Sequence, residues 1–165
     1  TGKAVKKWDQ RQITTAIFLQ DQADFPCDKV YDNKSSTISY PELERLFGKN
    51  SRDTAFTNLW SRLGNDSTRS YFDDCYFIKY GPEGLTFRFE SDSLLSTIFF
   101  SDDYEGELPF GISLKYKRDR IVQLLGKPDD YYIIETDEFY QYKGKGLFFK
   151  FDKGGRIGEF YVTRE

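Results

Sequence analysis

The chain of 165 residues has no His, no Met, two Cys and five Pro. Without His there is no Ser–His or Cys–His nucleophile and no His-ligated zinc, and two Cys cannot assemble a Cys-rich metal site. No apolar run approaches the roughly 18 residues of a membrane-crossing helix, and no secretory signal is present. Because Met is absent, Thr1 is not a translational start, so the expectation is that an upstream segment has been cut away. Low complexity is absent too. With 16 Phe and 12 Tyr the chain can bury a substantial core and is no disordered polymer.

Charge is nearly balanced, with 24 Lys+Arg against 27 Asp+Glu, but it is unevenly placed. Lys3, Lys6, Lys7 and Arg11 outweigh Asp9 in the first twelve residues, which leaves the rest of the chain acidic. No basic stripe follows residue 12, so no nucleic-acid partner is expected. Acidic runs fall at Asp102, Asp103, Glu105 and Glu107, and at Asp129 and Asp130 followed by Glu135, Asp137 and Glu138. Both runs are expected in loops at the ends of a sheet. Cys27 and Cys75 can form one disulfide or remain two buried thiols; their spacing leaves both open.

Laid on itself with a shift of 62 residues, the chain repeats without a gap over about forty residues. Leu63-Gly64 falls on Leu125-Gly126, and Gly84-Leu85 on Gly146-Leu147. Phe77, Tyr80, Phe87 and Phe89 fall on Phe139, Tyr142, Phe149 and Phe151. Each half opens with an apolar helical stripe. The first spans Arg52 to Leu63, with Phe56, Leu59, Trp60 and Leu63 on one face; the second spans Lys117 to Leu125. Three strands then follow in each half, at 75–80, 84–90 and 94–101 and at 138–143, 146–152 and 156–163, separated by Gly-, Pro- and Asp-containing turns. Upstream, Ser39-Tyr40-Pro41-Glu42 has the form of a capping box for a helix that buries Leu43, Leu46 and Phe47 and ends at Gly48. Gln12 to Gln20 reads as an added strand or a short helix. The expected domains are an extension at 1–34, a first unit at 35–104 and a second at 105–165. The expected fold class is α+β: two tandem units of helix followed by a three- to four-stranded antiparallel meander, joined in a continuous or paired sheet.

The run Gly111-Ile112-Ser113, the helix ending Leu124-Leu125-Gly126-Lys127-Pro128, and the strands at Phe139 to Tyr142 and Gly146 to Asp152 carry a resemblance. They resemble the small α+β unit of the SmpA/OmlA outer-membrane lipoproteins and of β-lactamase inhibitory protein, which has two such units in tandem. The resemblance covers roughly residues 37–163. It implies a bacterial scaffold used for binding other proteins, as in some inhibitor and immunity proteins. It implies no active site or cofactor, and it leaves cytoplasm and periplasm open as the compartment.

Strand alternation sorts the side chains by face. Leu85, Phe87 and Phe89, with Leu147, Phe149 and Phe151, are expected against the helices. Phe77, Phe99, Phe139, Phe148 and Tyr161 then share the opposite face with Arg88, Lys150 and Glu159. Aromatics with Arg concentrate binding energy when a partner buries them. The candidate partner-binding residues are therefore Phe77, Arg88, Phe99, Phe139, Phe148 and Tyr161, with Asp102, Asp103, Glu105, Asp129 and Asp130 steering a basic target. The alternative for the aromatics is burial under the N-terminal segment or in packing between the repeats.

Residues 31–42 have an EF-hand look, with Asn33, Ser35, Ser39 and Glu42 at ligand positions. Ser36 stands where Gly is needed, however, and the capping box explains the same residues. No metal or cofactor is expected. The functional expectation is a non-catalytic module that neutralises a partner protein, such as a basic toxin or enzyme, by occlusion. Its alternatives are an envelope or assembly module and a carboxylate-dependent hydrolase.

Overall fold

The computed structural model describes residues 38–64 and 66–164. The readings placed on residues 1–37 lie outside them: the basic terminus, the Gln12–Gln20 element, Cys27 and the first EF-hand positions. Among the described residues there are three short α-helices, α1 (Tyr40–Glu44), α2 (Thr54–Leu63) and α3 (Arg118–Leu125). The same residues form eight strands, with α3 between the fourth and fifth: β1 (Ser67–Tyr71), β2 (Cys75–Tyr80), β3 (Leu85–Glu90), β4 (Leu95–Phe100), β5 (Asp130–Ile134), β6 (Asp137–Tyr142), β7 (Leu147–Phe151) and β8 (Ile157–Thr163). They form one antiparallel sheet in the order β1-β2-β3-β4-β8-β7-β6-β5.

This corrects the expected fold class. The protein is sheet-dominated, not two tandem helix-plus-meander α+β units. The described residues hold eight strands in one sheet against three short α-helices, and the β4–β8 ladder joins its halves: Thr97 lies opposite Thr163, Ile98 opposite Val162, Phe99 opposite Tyr161 and Phe100 opposite Phe160. That pairing merges all strands into one sheet, against which the helices are a thin added layer. The six expected strands are found within one residue of their expected bounds, because β-branched and aromatic residues alternating between turns specify them locally.

On one face the helices bury the sheet. Phe56 of α2 packs on Phe87 and Phe89 at 6.3 and 5.3 Å, and Trp60 stacks on Tyr80 at 5.1 Å. The same layer continues through Phe100, Phe160 and Phe149, with ring centroids 5.5 and 4.8 Å apart. Asp53 caps α2 by accepting from the Ala55 amide at 2.8 Å. The capping box expected upstream does not form. Ser39 occupies the N-cap position of α1 without a side-chain bond, and Glu42 pairs with Arg62 of α2 instead of reaching back. A charge-assisted tie to a neighbouring helix replaces the local cap.

Gly146 opens β7 in the left-handed region (φ 64) and accepts from the Thr163 amide at 2.8 Å. A Cβ there would overlap the Thr163 carbonyl oxygen. Gly84, 62 residues earlier, has the same φ and accepts from the Ser101 amide at 2.9 Å. Gly146→Ala is expected to cost about 2–3 kcal/mol, from backbone strain plus displacement of the β8 end. Gly144→Ala, in open space without positive φ, should stay within about 0.5 kcal/mol. Urea unfolding midpoints of the two variants check the contrast.

Candidate functional site

The sheet face turned away from the helices carries the aromatic residues that alternation assigned to it. They form one row of rings across the strands. Phe72 meets Phe77 at 5.5 Å, Phe77 meets Phe99 at 6.1 Å and Phe99 meets Tyr161 at 4.8 Å. Phe148 stacks on Tyr161 at 4.3 Å, Phe139 lies 6.0 Å from Phe148, and Tyr132 stacks on Phe139 at 4.9 Å. These rings are not an open surface. Phe77 is 2% exposed, Phe139 and Phe148 are buried, and Phe99 and Tyr161 are half-buried. Alternation names the face a side chain occupies, but burial depends on what packs around it.

Charges are threaded between the rings. The Lys150 ammonium lies 3.3 Å from both Asp137 and Glu159, with its side chain only 11% exposed. Burial raises the Glu159 carboxyl above its ordinary range, and the Lys150 charge opposes that shift. Arg88 reaches Glu90 at 3.4 Å, while its buried Nε has no hydrogen-bond partner. Cys75 is a buried free thiol; burial raises it, against the opposing charge of Arg88, so it is no activated thiolate. Among the described residues no group of three or more His, Cys, Asp or Glu could hold a metal ion.

The two acidic runs are not brought together. Asp102, Asp103 and Glu105 are exposed beyond the end of β4, whereas Asp129 and Asp130 are exposed at the start of β5. Three ladders and the β4–β8 pairing separate those strands, about 19 Å across the sheet at ordinary strand spacing. The second run is also not a loop. Residues 130–134 are β5, and Asp137 and Glu138 are half-buried in β6, where Glu138 pairs with Arg118 of α3. Its charges hid a strand because an edge strand buries little and tolerates polar ends.

The first acidic run leads into a loop anchored by buried side chains. Tyr104 is buried and donates from its hydroxyl to the Ile38 carbonyl at 2.7 Å. Leu108, Pro109 and Ile112 are buried as well. Between them Phe110 stands 54% exposed, in left-handed backbone at φ 58. The sequence places no special signal on this residue. Only the loop conformation singles it out.

No family model matches the chain, and no curated protein matches it. Among solved structures the chain is similar to a DUF4309-family protein, YjgB, from Bacillus subtilis, with 12% identity over 87% of this chain and 89% of that one. The TM-score is 0.36, too low to argue fold or function. Among the described residues no helix is long and apolar enough to cross a membrane.

Two measurements test these electrostatics. Lys150→Met leaves Asp137 and Glu159 unneutralised and should cost about 2–4 kcal/mol at pH 7. Glu159's folded pKa is raised, so its neutral form suits the fold, and the penalty should shrink as pH falls through the carboxylate range; urea titrations at pH 7 and 4.5 read this. Burial pushes Tyr104, Tyr132 and Tyr142 up to about 12. Their contribution to stability is complete below pH 10 and lost between pH 10 and 12. Absorbance at 295 nm should therefore show fewer than the 12 tyrosines ionising at pH 11 until the protein unfolds.

Proposed function

We propose that the protein acts by binding and neutralising another protein, without catalysis of its own, and that the contact is made by the loop at 101–112. The observation that carries this reading is Phe110. A left-handed backbone at an aromatic residue costs the fold about 1–2 kcal/mol, and here more than half of the side chain's surface still faces water. Buried Leu108, Pro109 and Ile112 hold it in place, and Asp102, Asp103 and Glu105 stand exposed in the same loop. An exposed aromatic between buried neighbours, with an acidic surround, suits a basic partner: the ring supplies binding energy, and the charges supply orientation and association rate. The resemblance of Gly111 to Asp152 to the SmpA/OmlA and β-lactamase-inhibitory units supports the same class of role. The sheet aromatics, being buried or half-buried, take a structural part in this reading, as do Arg88 and Lys150.

Phe110→Gly separates binding from folding. It should leave stability unchanged or raise it by about 0.5–1 kcal/mol, because glycine relieves the left-handed residue. In the proposed role the same change, combined with Asp103→Lys, should deplete a captured basic protein at least tenfold in quantitative affinity capture from the source organism. The captured protein's activity should fall on adding wild-type protein and not the variant. Equal capture by both, or loss of stability without loss of capture, overturns the proposal.

A further inference from the structure

Two cations stand at corresponding places on the far face, 62 residues apart. Lys150 lies opposite Glu159 in the β7–β8 ladder, whose register shifts directly after it. Arg88 lies opposite Thr97 in the β3–β4 ladder, whose register shifts at the same point. Asp137 and Glu159 hold Lys150 at 3.3 Å each. The residues that correspond to them are Cys75 and Thr97, and neither carries a charge at neutral pH. Arg88 therefore keeps a smaller complement. Its Nη2 reaches Glu90 at 3.4 Å, and its buried Nε has no hydrogen-bond partner. Glu90 is itself divided, because its other oxygen accepts from the Ser96 hydroxyl at 2.6 Å. A guanidinium presents its N–H donors in a planar fork that matches the two oxygens of a carboxylate. Lys150 shows that one cation in this frame takes two carboxylates; for Arg88 the described residues supply one.

We infer that Arg88 binds the carboxylate of a small organic acid beside Thr97, at the place that corresponds to the Glu159 side chain in the other half of the sheet. Arg88 keeps 20% of its side chain exposed, while Thr97 is buried. Such an opening admits a small molecule and not the surface of another protein. Phe77 lies opposite Arg88 in the β2–β3 ladder, and Phe99 is the next ring of the row, so the body of the acid meets aromatic carbon. A monoanion fits the charge count. Together with Glu90 it gives Arg88 the two carboxylates that Lys150 has within its own chain. A phosphate dianion would exceed that count and be repelled by Glu90. The inference is independent of the loop assignment above.

Titration of the nitrogen-labelled whole chain with sodium benzoate, from about 0.1 to 50 mM near neutral pH and at constant ionic strength, tests it by NMR. One arginine Nε–H resonance should shift and saturate, and it should be the one missing from Arg88→Lys. Benzoate at about tenfold its dissociation constant should raise the wild-type Tm by about 2–4 °C, and equal sodium chloride should not. Inorganic phosphate should bind at least about tenfold more weakly. Thr97→Glu installs the carboxylate that the second half has, and it should abolish both responses. If that variant does not fold, the wild-type resonance and its loss in Arg88→Lys decide. No saturable shift at Arg88, a response that survives Thr97→Glu, or chloride or phosphate acting as strongly as benzoate overturns the inference.

Discussion

Pairing between β4 and β8 holds the two halves of the sheet together, and the other features of the protein follow from it. Its four residue pairs serve both faces at once. On the helix side Phe100 packs on Phe160; on the far side Phe99 packs on Tyr161. The ladder is reinforced at its end, where the Thr163 hydroxyl donates to the Ser96 carbonyl at 3.1 Å and the Arg164 amide donates to the same oxygen at 3.0 Å. Open at this seam, each half would expose an edge and two broken aromatic layers. Closed, it leaves β1 and β5 as the outermost strands among the described residues.

A sheet filled on both sides restricts where a partner can be met. The helix side is occupied by α1, α2 and α3. The far side carries rings in mutual contact, with Lys150 balanced between two carboxylates. Such charges are costly to uncover or to leave unpaired, so the face behaves as a second core with ionic ties rather than as a docking plane. The places left for another protein are loops and outer strands. The loop at 101–112 combines acidic side chains with one strained, exposed ring; β5 carries the exposed side chains of Tyr131 and Ile133. Both features lie where backbone or side chains are held in arrangements that packing of this chain alone does not reward.

Local pattern carried much of this architecture. Alternation, turn residues and helix stripes give the six long strands, the helices α2 and α3, and the assignment of each aromatic residue to its face. These properties depend on neighbours within a few residues, and sequence displays them directly. The edge strands β1 and β5 escaped because strands that bury little carry no strong apolar signal, and flanking acids make β5 read as a loop. Cys75 could be bridged or free on spacing alone; its surroundings leave it a buried thiol.

What the sequence determined by itself was therefore the inventory: which segments are strands, where the turns fall, and which side chains point together. Tertiary structure alone decided that β4 pairs with β8, which makes the sheet continuous rather than paired and leaves the helices a thin layer on it. It also decided that the far-face aromatics of β2, β4, β6, β7 and β8 are buried or half-buried, that the acidic runs stand about 19 Å apart across the sheet, and that Phe110 is exposed. The physical reason is range. Strand order and burial are set by contacts between residues tens of positions apart, such as Thr97 with Thr163, and no local pattern of side chains specifies which distant strand will complete a ladder.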